Sequence, residues 1–293
     1  MELARLKPNP IPTIHPLPEY LAQGQRLEWY RDMKQVFQVP WMGVVTMAFS
    51  HYPHFFETLW NSTRDLCTSQ PYVSACMKNR DFAETKVKGL NPTPLKPKLI
   101  DLGYAPREID DIQQMIEVFS HGNQPYLIMA TLARYLLEGG EMSGADDAPV
   151  FKGQHAPAFN VPFVLMEAHH ADADTCSVYE DIKAVLGLPF VNTDYRALAR
   201  WPSYWQAAWA DMRPVLVVSD TDQICEDLHQ RCVGLVRDGL PNPGGLTSDA
   251  LIKAAKQDAP LNEIIAVCGL FQWLLPGLVT NVAYLRAQLI EQT

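Results

Sequence analysis

The sequence predicts an all-α protein made of two similar helical repeats that pack as an intramolecular pseudo-dimer. The first observation is an internal repeat, in which the segment from Trp29 to Trp60 aligns without a gap on the segment from Val178 to Trp209. The second is that apolar residues recur at helical spacing, whereas apolar–polar alternation bounded by turns is scarce. The third is a linker rich in Gly, Pro and Ala between the two halves.

Identical residues at a constant offset define the repeat. They lie 149 positions apart: Tyr30/Tyr179, Asp32/Asp181, Lys34/Lys183, Val36/Val185, Pro40/Pro189, Ala48/Ala197, Pro53/Pro202 and Trp60/Trp209. A weaker second alignment, at an offset of 152, pairs Phe119 with Phe271 and Arg134 with Arg286. Because chance is a poor explanation for gapless agreement of this length, each half is expected to carry the same order of elements.

The elements within each half are predicted to be helices. Segments with apolar residues at helical spacing are, in chain order, 30–37, 107–119, 179–186, 222–239 and 262–275. The first and third of these stop shortly before Pro40 and Pro189, as helices commonly do. We therefore predict a first helical repeat with a Pro-rich N-terminal arm, a linker and a second helical repeat at residues 1–138, 139–165 and 166–293.

Composition narrows the possible partners. The chain has 293 residues, 47% of them hydrophobic, and 24 basic against 33 acidic residues give a net charge of −9. With no long basic run, nucleic acid and anionic membranes are not expected partners.

The N-terminal segment lacks the apolar core of a signal peptide, and we find no apolar span of eighteen residues, so a soluble, cytoplasmic protein is expected. The six cysteines show no CxxC spacing and should be reduced and mostly buried.

One acid stands out in the second repeat. Asp194 lies in the apolar and aromatic stretch VLGLPFVNTDYRALARWPSYWQAAW, where burying a carboxylate is costly unless it is paired or used. Its counterpart in the first repeat is Val45, so the fold itself does not require an acid there. A purely structural alternative is that Asp194 or Thr193 caps a helix that begins in NTDYRALA.

A second acidic motif is less informative. HHADADT, at 169–175, contains the His and Asp residues that could bind a metal. It also resembles a motif in which the first aspartate is a nucleophile that directly follows an apolar strand. Because the residues before Asp172, LMEAHHA, are not a continuous apolar strand, we interpret the motif as a solvated helix start. The sequence predicts no metal site, and it contains no GxSxG, GxGxxG or HExxH.

Taken together, the segments VPW at 39–41, GNQPY at 122–126 and TDYRALARWP at 193–202 resemble the group I 2-haloacid dehalogenases. The resemblance runs from roughly Tyr30 to Arg286. It implies a helical enzyme that uses no cofactor, in which an aspartate activates water. The resulting hydroxide displaces halide from the α-carbon with inversion and without an ester intermediate.

The resemblance assigns roles to particular residues. Asp194 matches the base, and a carboxylate among Phe190, Tyr195 and Trp201 would be poorly solvated and therefore more basic. Asn123 matches the second polar residue at the water, although an asparagine after Gly122 is also typical of a turn. The residues matched to the substrate pocket are Trp41, Tyr126, Val44, Thr193 and Asn192, and the two aromatic residues could equally be ordinary core residues.

The matched motifs contain no arginine for the substrate carboxylate, so we expect backbone N–H groups after Pro40 and near Thr193 to hold it. The resemblance also implies that a small residue two positions before the aspartate permits both enantiomers. Asn192 is larger, which predicts a preference for D-2-haloacids. An alternative is that Asn192 only caps the turn and points away.

Three rival functions stay open at this level: a dehalogenase that accepts both enantiomers, a helical small-acid-binding protein without turnover, and a hydrolase in which Asp194 is the nucleophile. The expected partners are a small 2-haloacid and water, and we expect the chain to form a homodimer.

Overall fold

The computed structural model describes residues 2–143, 147–218 and 221–290, and these residues form helices and no β-strand. The all-α prediction is therefore confirmed. The α-helices are α1 (Gly24–Phe37), α2 (Val44–Phe49), α3 (Pro53–Cys67), α4 (Gln70–Val87), α5 (Lys96–Asp101), α6 (Pro106–Leu137), α7 (Ala173–Leu186), α8 (Thr193–Leu198), α9 (Pro202–Val218), α10 (Thr221–Gly234), α11 (Ser248–Asp258) and α12 (Leu261–Leu289).

The chain divides into two compact units, each built from three segments. The first unit comprises Met1–Asn79, Gly122–Ala156 and Cys225–Gly277, and the second comprises Arg80–His121, Pro157–Ile224 and Leu278–Thr293. Each unit draws on both halves of the sequence. The predicted repeat bounds and the pseudo-dimer stay predictions, and residues 144–146 of the predicted linker lie outside the described residues.

In the first unit, α1 and α3 are joined by a buried indole and an ion pair. Trp60 Nε1 donates to Asp32 Oδ2 (3.0 Å), and the Arg64 guanidinium donates to both oxygens of the same carboxylate (2.7 and 2.8 Å). Arg64 holds the pKa of Asp32 below its usual value. The Tyr30 hydroxyl donates to the carbonyl of Leu17 (3.0 Å), which ties the N-terminal arm to α1.

The second unit contains the same contacts 149 positions later. Trp209 Nε1 donates to Asp181 Oδ2 (2.8 Å), and Arg213 donates to both oxygens of that carboxylate (2.7 and 3.0 Å). The Tyr179 hydroxyl donates to the carbonyl of Met166 (2.7 Å). The repeated sequence therefore folds into the same local arrangement twice, with α1, α2 and α3 matched by α7, α8 and α9.

The ends of the first helix in each repeat also match. Gln38 follows α1 and Gly187 follows α7, 149 positions apart, and both adopt left-handed backbone (φ 53° and 62°). At the start of α7, the Asp172 side chain accepts a hydrogen bond from the Thr175 N–H (2.7 Å). The prediction that the HHADADT motif opens a helix is confirmed, because Asp172 is the N-cap of α7.

Helix α12 corrects one expectation from the sequence. The sequence analysis predicted no apolar span of eighteen residues. Leu261–Leu289 is nevertheless long and apolar enough to cross a membrane by length and composition, and 72% of its most apolar 18-residue window is buried inside the protein. A core helix that is covered on most sides is apolar nearly all round, because each face packs against other helices.

All six cysteines are free thiols, and all except Cys176 are buried, as predicted.

Candidate active site

Asp194 occupies the first turn of the short helix α8 and is only 3% exposed. The N-cap position is Asn192 (φ −61°, ψ 154°), whose side chain makes no capping hydrogen bond. The alternative in which Asp194 or Thr193 is the N-cap is therefore wrong. Burying a carboxylate is costly unless the group is paired or used, so an acid at this depth calls for an explanation.

The residue after Asp194 anchors α8 to its surroundings. Tyr195 is fully buried, and its ring stacks on Trp205 at 5.3 Å between ring centroids with 23° between the planes. Its hydroxyl oxygen accepts a hydrogen bond from Asn281 Nδ2 (2.8 Å). A six-residue helix is too short to be stable by itself, so these contacts determine where α8 lies.

In the first unit, two of the predicted pocket residues contact each other. The Tyr126 hydroxyl donates to the carbonyl of Trp41 (3.1 Å), and the two rings lie 6.2 Å apart at 58°. Burial raises the pKa of the Tyr126 phenol, which therefore keeps its proton and its donor role. In this arrangement that single O–H is used by the carbonyl of Trp41, while the ring can line a pocket.

Two glycines make this aromatic arrangement possible. A Cβ on Gly43, the residue before Val44 at the start of α2, would lie 2.8 Å from the ring of Tyr126. A Cβ on Gly122 would overlap the six-membered ring of Trp41 and lie 3.0 Å from Val39. Val44 itself is half-buried at the first position of α2. Sequence reasoning did not identify these glycines, because the need for close approach arises only from the tertiary fold.

We predict that Gly122→Ala destabilises the protein, because the indole of Trp41 must move to make room for the added methyl group. Overpacking of this kind typically costs about 1–3 kcal/mol. The matched control is Gly234→Ala, another helical glycine, where no atom lies within 4 Å of the added Cβ. That change should be neutral or stabilising by about 0.4–1 kcal/mol. Denaturant unfolding of both variants measures the difference, and equal stabilities would contradict the close contact.

Asn123 lies within α6 and is 4% exposed. The alternative of a turn asparagine is wrong, because residues 106–137 form one continuous helix. Pro125 lies inside this helix and has no N–H to donate to the preceding turn. Its carbonyl accepts a hydrogen bond from the Tyr72 hydroxyl (2.8 Å), which ties this part of α6 to α4.

The predicted site residues thus fall into two groups. The first unit contains Trp41, Val44, Asn123 and Tyr126, and the second contains Asn192, Thr193 and Asp194. The helices expected to present backbone N–H groups do begin near the predicted places, at Val44 and Thr193. A separate cleft of about 190 Å³ in the first unit has none of the predicted residues in its lining: Gln35, Val36, Gln38, Arg64, Thr68, Val73, Val150, Phe151 and His155.

Comparison with known proteins gives concordant results from sequence and structure. No protein-family profile matches the chain. An (R)-2-haloacid dehalogenase of Rhizobium sp. (strain NHG3) is 42% identical over 254 residues, which cover 86% of this chain and 98% of the relative. An (R)-2-haloacid dehalogenase of Pseudomonas putida is 34% identical over 283 residues, covering 95% and 93%.

A solved structure described as the complex of a D-2-haloacid dehalogenase with L-LA superposes with a TM-score of 0.87. It is 33% identical in sequence and covers 97% of this chain and 98% of its own. At this coverage the similarity extends over both compact units. With near-complete coverage and identities above 30%, the chain belongs to the family of helical (R)-2-haloacid dehalogenases.

Proposed function

We propose that this protein hydrolyses short D-2-haloalkanoic acids to L-2-hydroxyacids, with inversion at the α-carbon. The observation that carries the proposal is the buried carboxylate of Asp194, at a position where the other repeat has Val45. Because the first repeat has a valine there, the fold does not require an acid at this position, which supports a chemical task for Asp194. Membership of the dehalogenase family supports activation of water as that task.

In the proposed reaction, Asp194 accepts a proton from a water molecule as the water oxygen attacks the α-carbon. The new C–O bond forms opposite the C–X bond, which breaks, and the halide leaves with the bonding electron pair. The products are a 2-hydroxyacid and halide, and Asp194 then releases its proton to solvent. A single displacement of this kind inverts the α-carbon, because the incoming oxygen and the leaving halide occupy opposite sides.

We assign supporting roles to the other predicted residues. The Asn123 amide can accept a hydrogen bond from water and donate another, so it can fix the water in one orientation. The rings of Trp41 and Tyr126 supply an apolar wall that excludes competing water. Thr193, Asn192 and Val44 are proposed to contact the substrate.

The ligand of the solved neighbour supports the stereochemical part of the proposal. That protein is described as acting on D-2-haloacids, and it was solved with L-LA, a ligand of the opposite printed configuration. An inverting displacement on a D-substrate yields a product of L configuration. The homodimer and the cytoplasmic location expected from the sequence stay predictions.

The proposal is tested by measuring chloride release from separate D- and L-2-chloropropionate. We expect release from the D-enantiomer, with L-lactate as the organic product identified by chiral chromatography. Release at equal rates from both enantiomers would favour a dehalogenase that accepts either one. Tight binding of the substrate with no release of chloride would favour a binding protein without turnover and contradict the proposed function.

A further inference from the structure

A row of buried polar side chains distinguishes the C-terminal half of α12. Asn281, Tyr284 and Gln288 are each 3% exposed or less. Their spacing of three and four residues places them on one face of the helix. Asn281 contacts α8, whereas the other two contact Asp211 of α9: the Tyr284 hydroxyl donates to Asp211 Oδ2 at 2.9 Å, and Gln288 Nε2 donates to the same oxygen at 2.8 Å.

The other repeat has no polar residue at the matching positions. At the offset of 152, Asn281, Tyr284 and Gln288 correspond to Met129, Leu132 and Leu136 of α6, which are all buried and apolar. The structure supports this offset. Arg286 donates a hydrogen bond to Glu117 (2.5 Å). In the other repeat, the guanidinium of Arg134 lies 3.6 Å from the position that a Cβ on Gly269 would occupy. The two arginines are 152 positions apart, and so are Glu117 and Gly269.

The same asymmetry applies to the residue that Asn281 contacts. Tyr195 corresponds to Thr46 in the first repeat, whose hydroxyl donates to the carbonyl of Gly43 within its own turn (2.9 Å). In the second repeat, by contrast, the hydroxyl of Tyr195 connects α8 to α12 through Asn281. The polar link between these helices therefore occurs in the repeat that contains Asp194, whereas the residue that matches Asn281 in the other repeat, Met129, is apolar.

The side chain of Tyr195 connects α8 to two other helices, α9 and α12. Tyr195 directly follows Asp194, and its ring is held against Trp205 while its hydroxyl is held by Asn281. Two fixed points on one side chain restrict both sliding and rotation of a short helix. Because Asp194 shares that helix turn, its carboxylate is restricted with it.

We propose that Asn281, acting through Tyr195, is a positioning residue that holds Asp194 in place for attack on the substrate. This assignment rests on the proposed function. An error of about 1 Å in the position of a reacting group can cost on the order of 100-fold in rate. Since the substrate does not contact Asn281 in this scheme, loss of the link should lower kcat and leave KM nearly unchanged.

The test compares Tyr195→Phe, Asn281→Leu and the double variant with Tyr284→Phe as a matched control. The control removes a buried hydroxyl from the same face of α12, where it bonds to Asp211 rather than to α8. We expect the two single variants to lower kcat on D-2-chloropropionate by roughly 10- to 100-fold with KM within about twofold of the parent. The double variant should be no slower than the slower single variant, because both changes break one link.

The control should keep kcat within about twofold of the parent, whatever its loss of melting temperature. The assignment is overturned if Tyr195→Phe and Asn281→Leu also keep kcat, or if the control loses as much kcat as they do. Tyr195→Phe keeps the stacked ring, so it provides a folded variant even if Asn281→Leu is unstable. A parent protein that releases no halide would instead overturn the proposed function itself, which separates the two failures.

Discussion

Replacement of Asp194 by Asn is expected to abolish halide release while leaving the protein folded. An amide has nearly the shape of a carboxylate, but it cannot accept the proton that water must lose. The position is 3% exposed and tolerates an uncharged residue in the other repeat, where it is Val45. Rates of halide release from D-2-chloropropionate, with circular dichroism to verify the fold, measure the effect.

The matched control for this change is Asp181→Asn. Asp181 also lies in the second repeat, but its carboxylate is occupied by Trp209 and Arg213. This control should lose some stability and retain halide release. If instead Asp194→Asn keeps activity within about tenfold of the parent, a barrier change of only ~1.4 kcal/mol, Asp194 is not the base.

Replacement of Asn192 by Ala is expected to add activity on L-2-haloacids to an enzyme that prefers the D-enantiomers. The side chain of Asn192 is half-buried and makes no capping hydrogen bond, so its removal takes no cap from α8. A side chain next to the base can exclude one placement of the substrate's side group. Added volume in a well-packed site typically costs about 1–3 kcal/mol. If that cost falls on the transition state of one enantiomer only, the two enantiomers differ in rate by roughly 5- to 150-fold.

The control for steric exclusion is Asn192→Leu, which has similar bulk and no polar group. It should retain the D-preference, whereas loss of the preference in both variants would assign the selectivity to a polar contact. Initial rates on the separated enantiomers decide between these results. Equal rates of the parent protein on both enantiomers would refute the steric explanation altogether.

The fold class could be predicted from sequence because helical periodicity is a local property. The repeat could be predicted for the same reason. Asp32 and Asp181 are conspicuous in the alignment, and in the structure each accepts hydrogen bonds from the tryptophan indole and the arginine guanidinium of its own repeat. The compact units were not predicted. Their segments come together through packing between distant parts of the chain, which no local pattern reports.

The candidate site was predictable where the two repeats differ in sequence. Asp194 stands out against Val45, and Asn281 stands out against Met129 in the same way, although only the first difference was recognised from the sequence. Gly43 and Gly122 gave no such signal, because their importance depends on the ring positions of Tyr126 and Trp41. Exclusion of Asp194 and Thr193 as the N-cap of α8 also needed the structure, since the segment NTDYRALA is compatible with a cap at either residue.

The most direct test of the proposed chemistry is a single turnover of D-2-chloropropionate by excess protein in water enriched in oxygen-18. If Asp194 activates water for direct attack, the heavy oxygen should appear in L-lactate, and mass spectrometry of the peptide containing Asp194 should find no label there. Label in Asp194, with unlabelled lactate from the first turnover, would show that the carboxylate is the nucleophile and contradict the direct-water mechanism.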